Sequence, residues 1–152
     1  TNVEEVHLPS SLSAALGDDA KTLRTSFFGR AEENRLEDTV PRVRGSLSAR
    51  YTLNQLSALV RANYYGSVRA KADLSMNDEF FAGKTLFDLD VGYQLTKTIR
   101  LSAGAENILN TFPDEQEKAA NISAGRFIYS RNTSQFGQNG GFYYGKLQLT
   151  FF

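Results

Sequence analysis

Cysteine is absent from this 152-residue chain, which excludes disulfides and thiolate metal sites but leaves the compartment open. Histidine occurs once, at His7, without a candidate partner pair, so neither a histidine-based triad nor a zinc site is expected. Net charge is missing too: Lys+Arg and Asp+Glu are both 17. No global field therefore draws the chain to nucleic acid or to an anionic membrane surface. No apolar run approaches the roughly 18 residues that a membrane helix needs. Alternating strands hide their hydrophobicity, however, so a membrane barrel stays open. The chain starts at Thr1 without methionine or a secretory signal, and the expectation is a mature product or a fragment. Length and uniform composition fit one domain.

What is present is alternation with period two, the mark of a strand with one apolar and one polar face. From Pro41 onward Val43, Gly45, Leu47, Ala49, Tyr51 and Leu53 take one parity, while Arg42, Arg44, Ser46, Ser48, Arg50 and Thr52 take the other. A turn near Asn54 leads to Leu56, Ala58, Val60, Ala62 and Tyr64 on one face. The opposite face holds Ser57, Arg61 and Asn63, with Leu59 and Tyr65 breaking the polar pattern. Phe87 to Leu95, Ile99 to Glu106 and Phe142 to Phe152 are the other three alternating stretches; Asn2 to Leu8 is a weaker one.

Connections alternate between short and long. The turns near Asn54 and at Thr96 to Thr98 are tight, whereas Ser67 to Thr85 and Asn110 to Gly141 are long and rich in Gly, Asn, Asp and Ser. Ser10 to Val40 is a third long connection, in which Leu12, Ala15 and Leu16 between Ser10 or Ser11 and Gly17 could form a short capped helix. Short turns on one side and long loops on the other are the membrane-barrel pattern. Tyr51 and Tyr93 fall toward the short turns and Tyr64 and Tyr143 toward the long loops, as two aromatic girdles would. A soluble sandwich would show the same alternation and remains an alternative at this point.

The run Leu36-Glu37-Asp38-Thr39-Val40-Pro41-Arg42, the strand through Tyr51, and Arg61 to Gly66 (RANYYG) together resemble the late strands of TonB-dependent outer-membrane receptors. Leu86-Phe87-Asp88 leading to Val91-Gly92-Tyr93, and Gly104 to Asn110, resemble that family's penultimate hairpin. The likeness spans Pro41 to Phe152, although Phe152 is out of phase with Leu149 and Phe151. The resemblance implies an all-β antiparallel up-and-down meander: residues 1–152 as the carboxyl-terminal strands of a transmembrane β-barrel of about 22 strands, with the plug domain and energy-coupling box elsewhere. It further implies a bacterial outer-membrane transporter for a scarce nutrient such as a ferric siderophore, cobalamin or a glycan. The implied partners are outer-membrane lipid, the nutrient, and the TonB protein acting through the missing amino-terminal region. Neither an enzyme nor a cofactor is expected. A small structural or adhesive barrel and a soluble sandwich binding module are the other functional readings.

Within the long loops and their flanks, Tyr64, Tyr65, Arg69, Lys71, Arg126, Phe127, Tyr129 and Arg131 mix aromatic and cationic groups that could hold an anionic or aromatic metal chelate. Asp88 and Asp90 share a strand face and could share a cation or a proton. Neutralisation by arginines such as Arg44 or Arg100 is the plainer expectation. Asn121-Ile122-Ser123 and Asn132-Thr133-Ser134 match the glycosylation triplet, which a bacterial outer-membrane protein would not normally carry modified; Gly137 to Gly141 reads as a turn.

Overall fold

A computed structural model describes residues 9–11, 14, 20–122 and 124–151. The candidate strand at Asn2 to Leu8, His7, Leu12, Ala15, Leu16 and Gly17 of the capped helix, and the terminal Phe152 lie outside them. Ser10, Ser11 and Ala14 are helical. Two compact units divide the chain: residues 1–42, 67–82 and 114–135 form one, and 43–66, 83–113 and 136–152 the other.

The second unit is a sheet. Strands β1 (Arg44–Leu53), β2 (Leu56–Tyr65), β5 (Lys84–Gln94), β6 (Ile99–Glu106) and β7 (Phe142–Leu149) pair antiparallel in the order β1-β2-β5-β6-β7. The numbering skips two short strands that belong to the other unit. Register places residues of equal character side by side. One rung reads Leu53, Leu56, Tyr93, Leu101, Leu147; the next Tyr51, Ala58, Val91, Ala103, Gly145; the next Ala49, Val60, Leu89, Ala105, Tyr143. No charged side chain occurs on this face of the five described strands. The intervening rungs carry the charge: Ser48, Arg61, Asp88; Arg50, Leu59, Asp90, Gly104, Tyr144; Thr52, Ser57, Gly92, Ser102, Lys146.

The apolar face is uncovered: Leu47 is 77% exposed and Leu147 59%. A sandwich would bury these side chains under a second sheet. Each large apolar side chain left in water forfeits roughly 1.5–3 kcal/mol, so this face is stable only against an apolar medium. Lengths agree, since β1 and β2 have 10 residues and β5 has 11, within the about 9–11 of a tilted membrane strand. The tyrosines take both ends of the face. At the short-turn end Tyr93 Oη donates to Gln55 Oε1 at 2.7 Å, and at the other end Tyr143 Oη donates to the Ile108 carbonyl at 3.2 Å. Rings in the apolar layer with hydroxyls satisfied at its borders are what an aromatic girdle requires.

The turns follow from local chemistry. Asn54 takes φ 50°, a left-handed conformation asparagine tolerates, so that Leu53 and Leu56 close a two-residue hairpin. At the other tight turn the Thr96 hydroxyl accepts from the Thr98 and Ile99 amides at 3.2 and 3.1 Å.

The first unit holds regular structure where the sequence pattern suggested loops. Helices α1 (Ala20–Phe27) and α2 (Arg30–Glu37) occupy the connection before β1. A small hairpin, β3 (Val68–Ala70) with β4 (Glu79–Phe81), and a 3-10 turn at Ser75–Asn77 occupy the segment between β2 and β5. The long Ser67 to Thr85 connection thus carries short regular elements of its own. Strands of three residues are too short to alternate visibly, and the buried residue of α2 is Asn34, so no apolar stripe marked that helix. Leu23, Val68 and Phe81, each 3% exposed, are its apolar core.

Candidate functional site

Polar chemistry concentrates in two places, one in each unit. On the charged face of the sheet, Ser46 Oγ donates to Asn63 Oδ1 at 2.9 Å and Asn63 Nδ2 donates to Asp88 at 2.8 Å. Asp88 also accepts the Asn107 amide at 3.0 Å. Asp90 accepts the Tyr144 hydroxyl at 2.8 Å, and Arg100 donates to Ser57 Oγ. The two aspartates are thus held by neutral donors. Arg44 instead lies over the Tyr65 ring, 5.7 Å from its centroid, and Arg100 reaches Ser57, so neither neutralises them as expected. The cause is register: Arg44 shares a rung with Tyr65 and Lys84, Arg100 with Gln94 and Gln148, whereas the charged cross-strand neighbour of Asp88 is Arg61.

This face borders a cavity of about 720 Å³ lined by Arg61, Asp88, Asp90, Glu106, Tyr65, Phe136, Phe142 and Tyr144, among others. Tyr65 packs on Phe136 at 5.4 Å between centroids, and Phe142 stacks on Tyr144 at 6.2 Å. Asn107, at φ 51° and 6% exposed, closes the loop after β6. Its Oδ1 accepts the Thr111 amide at 2.9 Å and its Nδ2 donates to the Thr111 carbonyl at 2.8 Å. This is the physical content of the Gly104 to Asn110 motif: the asparagine side chain substitutes for a backbone turn.

In the first unit a cavity of about 420 Å³ is lined almost entirely by polar side chains, among them Asn34, Lys71, Asp73, Glu79, Asn121, Arg131 and Thr133. Helix α2, the small hairpin and the loop after β6 build it. Asn34 on α2 donates to the Arg69 carbonyl at 3.0 Å, fixing the helix against β3. Glu79 at the start of β4 accepts the Lys118 amide at 2.7 Å and thereby draws in the loop after β6. Arg30 forks onto Asp78, with Nη1 2.6 Å from Oδ1, and reaches the Ala72 carbonyl at 2.9 Å. The Arg30 hydrogen bond, opposed in part by desolvation, holds the Asp78 carboxyl below the usual carboxylate range, and Asp78 raises the Arg30 guanidinium in turn.

The eight residues singled out from the sequence do not form one cluster. Lys71 and Arg131 line the same cavity of the first unit. Lys71 is paired with Glu37 at 3.4 Å and Asp38 at 3.7 Å. Arg131 lies 5.0 Å from the centroid of Phe127, and Arg69 lies 5.9 Å from that of Phe80. Arg126 is exposed and Tyr129 half-buried. Tyr64 and Tyr65 belong to the other unit and to opposite faces of β2. Tyr65 joins the charged face, and Tyr64 the apolar one opposite Gly45 and Thr85. Adjacent strand residues cannot serve one surface, which is why the pair separates. Asn34, Asn63, Glu79, Asn107 and Tyr144 were not singled out as site residues from sequence; the signals available were the polar-face parity of Asn63 and Tyr144 and the motif around Asn107.

Among the described residues no cluster of three His, Cys, Asp or Glu side chains could hold a metal ion, and no helix is long and apolar enough to cross a membrane, which says nothing of strands. Searches among curated proteins and among solved structures give no match to the chain. A family-wide comparison does: residues 11–108, more than half of the chain, match the family described as TonB dependent receptor-like, beta-barrel. The one-sided apolar sheet, the two rows of tyrosines and this match agree, and the chain belongs to the TonB-dependent receptor β-barrel family of the bacterial outer membrane, whose members are receptors and transporters rather than enzymes.

Proposed function

We propose that these residues are part of the barrel wall and extracellular loops of an energy-coupled importer that captures a scarce nutrient, such as a ferric siderophore, cobalamin or a glycan, and depends on TonB for energy. The single observation that carries this reading is the register of the sheet. It lays every charged strand residue on one face and none on the other, so one face suits lipid and the other a polar lumen. The sheet as described has open edges at β1 and β7. Lipid does not tolerate unpaired edge groups, and about eight strands are the usual minimum for closure. Residues 1–152 are accordingly read as the carboxyl-terminal part of a larger barrel domain, with the plug and the TonB-contacting region supplied elsewhere in the parent protein. Ligand capture is assigned to the loop residues, Arg69, Lys71, Arg126, Phe127, Tyr129 and Arg131, with Tyr65 on the lumenal wall.

The test is uptake by cells that express the full-length parent. Accumulation of the nutrient should stop when TonB is deleted or the proton-motive force is collapsed, while surface binding persists. Accumulation that continues without TonB would refute energy coupling and return the small-barrel reading to the front.

A further inference from the structure

Asn139-Gly140 is the only place in the chain where glycine follows asparagine, and that step has a chemistry of its own. The backbone nitrogen after an asparagine can attack the side-chain carboxamide, and the side chain of the following residue is the main obstacle to its approach. Glycine presents none. The structure leaves both reacting groups available. Asn139 is exposed and lies in a bend outside helix and strand. Among the described residues neither its carboxamide nor the Gly140 amide has a hydrogen-bond partner, whereas the next amide, that of Gly141, donates to Asn110 Oδ1 at 2.8 Å.

Two other exposed asparagines of the same connection lack this freedom. Asn110 is followed by Thr111, whose amide donates to Asn107 Oδ1 at 2.9 Å. Asn132 is followed by Thr133, 4% exposed, whose amide donates to Ser130 Oγ at 3.1 Å. An amide held in a hydrogen bond is a poorer nucleophile, and a β-branched successor crowds the path to the carboxamide. Exposure alone therefore does not set Asn139 apart. The unheld glycine amide beside it does.

We propose that Asn139 is a self-modifying site, which deamidates in the folded protein through attack by the Gly140 nitrogen. That nitrogen gives its proton to water and bonds to Cγ of Asn139; the bond from Cγ to Nδ2 breaks, and Nδ2 leaves as ammonia with a proton returned from water. The product is a succinimide. Water then opens the ring at either carbonyl to give aspartate or isoaspartate, so water is consumed, ammonia is released, and nothing is oxidised or reduced. The new carboxyl is charged at neutral pH, since an ordinary aspartate titrates at about 3.9. Its place gives that charge a consequence. Asn139 and Gly140 line the cavity on the charged side of the sheet together with Asp88, Asp90 and Glu106, and Arg61 is the only cation among the described lining residues. Deamidation adds a fourth carboxylate there and turns the local field further against anions. The chemistry is independent of the importer reading.

The experiment ages the full-length receptor, purified in detergent, at mildly alkaline pH in heavy-oxygen water, then digests it with trypsin in ordinary water for mass spectrometry. Cleavage after Arg131 and Lys146 leaves Asn132 and Asn139 on one peptide, so the control travels with the site. Fragmentation should show aspartate and isoaspartate at Asn139, each with a single heavy oxygen, forming roughly tenfold or more faster than at Asn132 and faster as pH rises. A synthetic peptide of residues 132–146 supplies the unrestrained rate, and the receptor should come within roughly threefold of it. Gly140→Ala should slow the reaction roughly tenfold. Its Cβ would lie 2.5 Å from Asn110 Oδ1 and 2.7 Å from Phe112 Cζ, at φ +69°, so the substitution is made in the peptide as well, where folding plays no part. An intact Asn139 in the receptor while the peptide converts, Asn132 keeping pace with Asn139, or a rate indifferent to Gly140→Ala would overturn the proposal.

Discussion

Replacing single leucines of the sheet by arginine separates the lipid face from the lumenal face, and the structure sets the size of the effect. A membrane strand rises about 3.4 Å per residue and tilts about 45°, so each residue advances about 2.4 Å along the bilayer normal. Leu89 is the central residue of the 11-residue β5 and marks the midplane. Leu101 pairs with Tyr93, four residues further along β5, which puts it about 10 Å from the midplane toward the short turns. Leu47 pairs with Ala62, which lies on the rung of Phe87, two residues the other way and about 5 Å from the midplane. Leu89→Arg should cost about 2–4 kcal/mol, Leu47→Arg somewhat less, and Leu101→Arg on the order of 1 kcal/mol. Ser48→Arg and Ser102→Arg, on the charged face, should cost under about 1 kcal/mol, the remainder coming from Arg61 and Lys146 directly opposite. The measurement is reversible denaturant unfolding of the full-length barrel in lipid vesicles. Equal costs on the two faces, or a larger penalty at Leu101 than at Leu89, would refute the assignment of faces and depth.

Gly104→Ala should destabilise the barrel by about 1–3 kcal/mol, because the added methyl would run into the Tyr144 ring and come within 2.8 Å of the Leu89 carbonyl oxygen. Gly145→Ala, with nothing within 4 Å, should stay within about 0.5 kcal/mol in the same unfolding assay. Because Asp78 titrates below its ordinary value of 3.8, its ion pair with Arg30 stabilises the loops fully above that value and is lost as pH falls through the lower folded one. The protection factors of residues 72–78, taken relative to intrinsic exchange at each pH, should therefore fall on acidification, and Asp78→Asn should remove that fall; an unchanged profile would count against the pair. Deleting residues 124–140 from the full-length parent should abolish nutrient uptake and leave heat-modifiable barrel assembly intact, since strands do not depend on a surface loop for closure. Normal uptake after the deletion would exclude that loop from the binding site.

The sequence by itself determined the sheet. Alternation from Val43 to Leu53 and from Leu56 to Tyr64 set two strands within a residue or so of their observed limits, and Asn54 set the hairpin between them. Period two suffices because a strand's facing is a local property: each side chain goes to one side or the other whatever it later meets. What stood against the polar face was decided only by tertiary register. Asp88 meets Asn63 and the Asn107 amide, Asp90 meets Tyr144, and neither meets Arg44 or Arg100, because pairing offsets across four hairpins fix which rung each residue occupies. The loop unit was hidden for a related reason. Its helix α2 buries Asn34 instead of a leucine stripe, and its cavity brings Asn34, Lys71, Glu79 and Arg131 together from segments far apart in the chain. Polar side chains that are paired across such distances leave no periodic trace, since hydrogen bonds select partners by position in space and not by spacing along the backbone.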